Sequence, residues 1–208
     1  FYSFSKKAGF AEYFGMEEYN NLNDFDKAWG IYDGPFIQFF AEQLNTKTEP
    51  FLSTFFSLSS HPPYTLPDNY LKEQNKTDSI KSIGIRETIS YSDYCMSRFF
   101  QKSKNQEWFK NTIFIITADH TSSENYNPKY KNKISRYTIP LVIFSGDSSL
   151  QAVRKNTVQQ IDIMPTLLEK INYNKPYLAF GKSISSKENW SINKLNNNYR
   201  FVTEEGFI

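Results

Sequence analysis

The chain has 208 residues, of which 39% are hydrophobic and 17% aromatic, enough apolar mass for one sizeable packed domain and too much for a disordered one. Its 24 basic and 22 acidic residues leave a net charge of +2, which gives no electrostatic case for nucleic acid or an anionic membrane surface. The single cysteine, Cys95, excludes an internal disulfide, a pattern that fits the cytoplasm or a bacterial exterior, and neither an apolar run of about 18 residues nor a signal-peptide pattern is read.

The chain opens on Phe1 rather than Met, and FYSFSKKAGF reads as the interior of a longer sequence. Residues 5–14 predict one or two turns of helix, and the Asn/Asp-rich residues 20–26 a loop. Asp33-Gly34-Pro35 predicts a helix start, because Asp can cap and Pro is tolerated in the first turn. Phe36, Phe39, Phe40 and Leu44 then recur at helical spacing, carrying that helix to about Asn45. Residues 50–57, PFLSTFFS, are an apolar run that predicts a buried strand. It empties into Ser59-Ser60-His61-Pro62-Pro63-Tyr64, a proline-stiffened loop. Residues 68–78 are polar and predict an exposed segment. Apolar residues at 85, 89, 96, 99 and 100 predict an amphipathic helix over 85–104, with Cys95 as a small core residue on its inner face.

The central stretch is NTIFIITADH, residues 111–120. Residues 113–117 are apolar or β-branched, the pattern of a strand covered on both faces. The run ends in Asp119-His120, and in open α/β sheets ligands sit just beyond the carboxyl ends of strands. A long polar loop over 121–138 follows. Residues 140–144 predict a further buried strand turned by Gly146-Asp147. Residues 158–171 predict a loop and then a helix starting near Pro165. Residues 175–186 read as irregular, and 199–203 as an edge strand. Strand, loop, helix, strand is the pattern of an α/β fold with right-handed crossovers.

Asp119 offers a hard oxygen and His120 a borderline nitrogen, a mixture that suits Zn²⁺ or Mn²⁺ better than Ca²⁺. The bland alternative is a surface aspartate beside a hydrogen-bonded histidine. His61 is the only other histidine, and it also follows an apolar run. It is either packed on Pro62 and Tyr64 or reaches into a site. With two histidines in all, a two-zinc site with three His ligands cannot be built from this chain. There is no phosphate-binding Gly-rich loop, HExxH, G-x-S-x-G or CxxC.

FSLSSHPPYTLP (56–67), YSDYCMSRFF (91–100), WFKNTIFIITADHT (108–121), RYTIPLVIFSGD (136–147) and QIDIMPTLLEKI (160–171) occur in an order and spacing that resembles the sulfatase-like branch of the alkaline phosphatase superfamily. Lipoteichoic acid synthases and related phosphoglycerol transferases are the nearest in look, from about Phe4 to Gly181. The resemblance implies a three-layer α/β/α sandwich with a mostly parallel sheet, incomplete at the N-terminus. Residues 1–208 would be the C-terminal portion of a single catalytic domain. It implies that Asp119 and His120 hold one divalent metal, with Mn²⁺ favoured and Zn²⁺, Mg²⁺ or Ca²⁺ as alternatives. His61 would contact or protonate the substrate's phosphate or head group, while Asp162, Pro165 and Thr166 match a D-x-x-P-T segment of structural role.

The family's nucleophile, one acidic metal ligand and a Trp/Arg substrate-binding segment are expected upstream, so the fragment alone is expected to be inactive. The activity implied is transfer or hydrolysis of a phosphoglycerol-type phosphoryl ester through a covalent enzyme intermediate. The alternatives are a sulfuric ester hydrolase and a non-catalytic binding remnant. The partner implied is a phosphorylated or sulfated small molecule or lipid head group, with no nucleic acid. Resemblance alone places the full-length protein on a membrane tether in a bacterial cell membrane, catalytic domain outside the cytoplasm.

Overall fold

The computed structural model describes residues 1–74, 83–122, 124, 127–150, 152–153 and 155–206. The chain forms two compact units: residues 1–116 with 141–150, and residues 117–140 with 151–208.

In the first unit a helix pair builds the core. Helix α3 (Asp33–Leu44) follows two short helices, α1 (Tyr2–Lys7) and α2 (Met16–Tyr19). It buries Ile37, Ala41 and Leu44, one stripe at i, i+4, i+7. Asp33 does not cap it: Tyr32 is the N-cap, and the buried Asp33 carboxylate turns away to the loop near His61. Helix α5 (Ile85–Ser103) starts at Gly84, whose N–H is accepted by Glu87 Oε2 at 2.9 Å, a capping box. It buries Thr88, Tyr91, Cys95, Phe99 and Ser103. The predicted face is therefore rotated. Ile89 is 52% exposed, and Thr88 and Tyr91 take its place. Tyr91 belongs inside because its hydroxyl accepts the Gly34 N–H at 3.0 Å, locking the two helices together.

Three further expectations fail in this unit. Residues 50–57 form no strand: Phe51 and Phe55 pack on the core, whereas Leu52 and Phe56 are exposed, and among the described residues no strand pairs with the run. The segment from 68 is not all exposed loop. Helix α4 (Asp68–Glu73) carries the buried Tyr70 into the core against Tyr91, ring centroids 4.8 Å apart; residues 75–78 lie outside the described residues. Finally, the first helix ends at Lys7, and residues 8–14 are not helical.

Strands β1 (Ile113–Thr117) and β2 (Leu141–Ser145) pair in a two-stranded sheet. Residues 113–116 are half-buried and Thr117 is exposed, less covered than a strand with both faces packed. Phe114 and Phe144 stack across the pair at 5.0 Å, and Phe100 of α5 meets both. Past β2, the Gly146 N–H donates to Thr112 O at 3.0 Å. A Cβ at Gly146 would lie 1.8 Å from Phe109 O, so only glycine fits this turn.

The second unit contains α6 (Ile163–Lys170) and an antiparallel hairpin, β3 (Trp190–Leu195) with β4 (Asn198–Thr203), in register from Trp190↔Thr203 to Leu195↔Asn198. Helix α6 begins at Ile163, so Pro165 lies in the first turn, where its missing N–H costs nothing. Asn196 takes the left-handed conformation (φ 56°) at the hairpin turn, which Asn tolerates. Diagonal partners Trp190 and Phe201 stack at 5.5 Å. Within the polar loop, short 3₁₀ turns cover Pro128–Tyr130 and Ser135–Tyr137; residues 123, 125 and 126 lie outside the described residues.

Candidate functional site

β1 runs out at Thr117, and the backbone bends through Asp119 and His120. The bend is held by side chains. Thr117 Oγ1 donates to Pro140 O at 2.9 Å, and Thr121 Oγ1 to Arg136 O at 2.8 Å. Gln160 Nε2 donates to Ala118 O at 2.9 Å and Asp119 O at 3.0 Å. The His120 N–H donates to Asp119 Oδ1 at 2.8 Å.

His120 Nδ1 lies 2.8 Å from Thr121 O. A carbonyl only accepts, so Nδ1 carries the hydrogen, and in the neutral ring the lone pair sits on Nε2. Metal-binding imidazoles are oriented in this way. Nε2 stands 3.6 Å from Asp119 Oδ2, and both side chains are open to solvent. Two donors at that spacing can share one ion with bonds of about 2.0–2.2 Å. The donor set fits a divalent cation as two of its ligands. Among the described residues no group of three or more His, Cys, Asp or Glu side chains is placed to hold a metal.

His61 belongs to the first unit. Its loop is anchored by Asp33, whose Oδ1 accepts the N–H groups of Leu58 and Ser59 at 2.7 and 3.1 Å. The buried Ser59 returns the contact, its Oγ accepting the Asp33 N–H at 2.9 Å, and Ser92 Oγ donates to Asp33 Oδ2 at 2.7 Å. His61 is exposed, with Nδ1 2.9 Å from Pro62 O. The Trp29 ring lies against it, centroids 4.1 Å apart. Sequence reasoning missed both Trp29 and Gln160. Trp29 lies outside every quoted block and Gln160 only opens one of them, so tertiary contacts alone mark their roles.

Asp162 holds a backbone junction in the second unit. Fully buried, it accepts the Gln159 N–H at 3.0 Å and the Lys182 N–H at 2.9 Å, with Lys182 Nζ at 3.7 Å. Thr166 Oγ1 donates to Asp162 O at 2.6 Å and accepts the Ile184 N–H at 3.0 Å. Every polar atom named here is spent on the backbone, which is structural work. Cys95, the one thiol, is 1% exposed, and burial pushes it up to about 12, so it is no nucleophile at neutral pH.

Comparison with known proteins identifies the fold and family. A solved structure described as a protein in the alkaline phosphatase superfamily from Vibrio parahaemolyticus superposes with a TM-score of 0.72 at 25% identity, covering 90% of this chain and 46% of that one. The fold is the α/β fold of that superfamily. The sulfatase family profile matches residues 1–173, and the chain belongs to the sulfatase family. Within it, the chain is similar to the lipoteichoic acid synthase-like protein YvgJ of Bacillus subtilis, 24% identical over 92% of this chain and 34% of that protein. Lipoteichoic acid synthase 2 of the same organism is 26% identical, over 90% and 31%. Phosphoglycerol transferase I of Xanthomonas campestris is 25% identical, over 89% and 28%. The chain thus spans about a third of the length of these relatives.

Proposed function

We propose that this chain is the C-terminal portion of a single catalytic domain that transfers or hydrolyses a phosphoglycerol-type phosphoryl ester. The observation that supports the reading best is the Asp119–His120 pair, with Nε2 of His120 oriented by the Thr121 carbonyl and set 3.6 Å from Asp119 Oδ2. The name of the Xanthomonas campestris relative, phosphoglycerol transferase I, favours phosphoglycerol as the substrate class. A divalent ion held by these two side chains, Mn²⁺ in this reading, would neutralise charge developing on a phosphoryl oxygen and ease ionisation of a hydroxyl nucleophile.

The chain's own residues divide the remaining work. Asp119 contributes an anionic oxygen and His120 a neutral nitrogen. Gln160 and Thr121 fix the backbone that carries them. His61 directs Nε2 to the substrate, since its Nδ1 is engaged by Pro62 O. Protonated, Nε2 donates to a phosphate or leaving-group oxygen; with its lone pair it takes the proton of the accepting hydroxyl. In this reading the nucleophile and the remaining metal ligand lie upstream of Phe1, and the group passes through a covalent enzyme intermediate to water or a glycerol hydroxyl. The whole protein acts at a bacterial membrane with this domain outside the cytoplasm. Among the described residues no helix is long and apolar enough to cross a membrane.

The test is full-length protein, stripped of metal and reloaded with Mn²⁺, Zn²⁺, Mg²⁺ or Ca²⁺, assayed on phosphatidylglycerol vesicles and on p-nitrophenyl sulfate. Glycerol phosphate release that depends on Mn²⁺ is expected. Turnover of the sulfate ester alone would instead make the protein a sulfuric ester hydrolase. Metal binding without turnover of either would leave a binding domain.

A further inference from the structure

Trp29 and His61 meet on one oxygen atom. The Trp29 Nε1–H donates to Pro62 O at 2.7 Å, and His61 Nδ1 lies 2.9 Å from the same oxygen. That oxygen has two lone pairs and no proton, so it accepts from both, and Nδ1 of His61 carries the hydrogen. The rings also touch directly, with centroids 4.1 Å apart and planes 58° apart.

Trp29 is itself held in place. Asp26, buried, accepts the N–H groups of Ala28, Trp29 and Gly30 on one carboxylate oxygen, at 2.8, 2.7 and 3.0 Å. A Cβ at Gly30 would lie 2.8 Å from Leu58 Cδ1, so the Trp29 loop presses on the segment that leads to His61. Yet Trp29 is 54% exposed, which is open for a residue whose purpose is core packing. Its backbone anchorage and its two contacts all point at His61.

We propose that Trp29 is a positioning residue for His61, fixing the Nδ1–H tautomer and ring plane so that the Nε2 lone pair is offered to the proton of the hydroxyl that accepts the group from a phosphate ester. This rests on the assignment of His61 to the substrate made under Proposed function. An exposed imidazole rotates and exchanges tautomers freely, and each freedom must be lost before a productive complex forms. The indole covers one side of the ring and fills the second lone pair of Pro62 O. Both effects favour one arrangement before substrate arrives.

The experiment uses full-length protein with W29A, W29F, H61A and the W29A/H61A double variant, with bis(p-nitrophenyl) phosphate as the probe. W29A lowers kcat/KM by roughly 100-fold at unchanged metal content, the scale of a misplaced reacting group. W29F restores part of it, because ring cover returns without the N–H. On the H61A background W29A costs no more than about twofold, since it acts through a residue already removed. An equal loss on both backgrounds overturns the proposal.

A second readout needs no turnover. ¹⁵N spectra of histidine-labelled protein should show His61 as a single Nδ1–H tautomer in the wild type and as a mixture in W29A and W29F. An Nε2–H wild type, or a His61 pattern unaltered in the variants, overturns the proposal. Wild-type protein that ignores the phosphodiester would sink the phosphoryl-transfer reading, while the spectra still decide the role of Trp29. Thermal melts report whether W29A folds, and W29F carries the test if it does not.

Discussion

Gln160 spans two consecutive carbonyl oxygens at the root of Asp119, donating from Nε2 to Ala118 O at 2.9 Å and Asp119 O at 3.0 Å. The clamp grips the backbone and not the carboxylate. Q160L keeps the approximate bulk and removes both donors, so Mn²⁺ affinity of the full-length protein should fall roughly 10- to 100-fold, as for other outer partners of metal ligands. Q160E should cost more at neutral pH, because an acceptor then faces two acceptors. Isothermal titration of the metal-free variants checks both, and full affinity in each would show that the bend holds itself.

The two kinds of histidine should separate by metal content. D119A and H120A each remove a proposed ligand, so bound Mn²⁺ and Mn²⁺-dependent turnover should be lost together. H61A should keep its metal and lose roughly 100-fold or more in kcat, the contribution of one acid–base or orienting group. Elemental analysis beside a rate measurement decides. Loss of metal in H61A would make His61 a ligand.

Gly181 is enclosed by backbone. A Cβ there would stand 2.2 Å from Ile161 O and 2.7 Å from Asp162 Oδ1, atoms that cannot swing away. G181A should therefore destabilise the fold by about 1–3 kcal/mol, an overpacking cost, through the junction that Asp162 and Thr166 build. Urea denaturation followed by tryptophan fluorescence measures it.

Cys95 predicts a decline of stability at alkaline pH. Burial is the largest cause that raises its thiol from an ordinary value near 9 to about 12. The folded chain then holds a proton that the unfolded chain releases. The stability it contributes is present in full below about pH 9 and is lost as pH rises towards about 12. C95A should flatten part of that decline in urea midpoints compared across this range. Some slope should remain, because burial raises the Tyr91 phenol as well. Folded wild-type protein should also react slowly with iodoacetamide at neutral pH.

How much of this was legible in the sequence depended on whether a signal was local. Helices α3 and α5 and strands β1 and β2 could be read from apolar spacing because each follows its own period. The Asp119-His120 pair was readable because it interrupts such a run. Residues 50–57 were misread as a strand, since apolar composition cannot say whether a neighbouring strand lies alongside. Tyr70 and Thr88 were missed inside, because their burial rests on partners distant in sequence or on backbone oxygens one turn away. Strand β3 hid behind a mixed composition, its cue being the Asn-rich turn that reverses the chain into β4. The contacts of Gln160 and Trp29 cross 42 and 33 residues, and no spacing rule reaches that far.

Asp33 ties three segments with a single side chain: the start of α3, Ser92 on α5, and the Leu58–Ser59 backbone just before His61. The geometry of the helix pair is thereby transmitted to the loop that carries His61. If His61 contacts the ester as proposed, substitutions buried between α3 and α5 would retune that contact without altering any residue that makes it. Homologues that diverge there would be expected to differ in substrate preference while keeping the same apparent active-site residues, so matching those residues alone would overstate their functional equivalence.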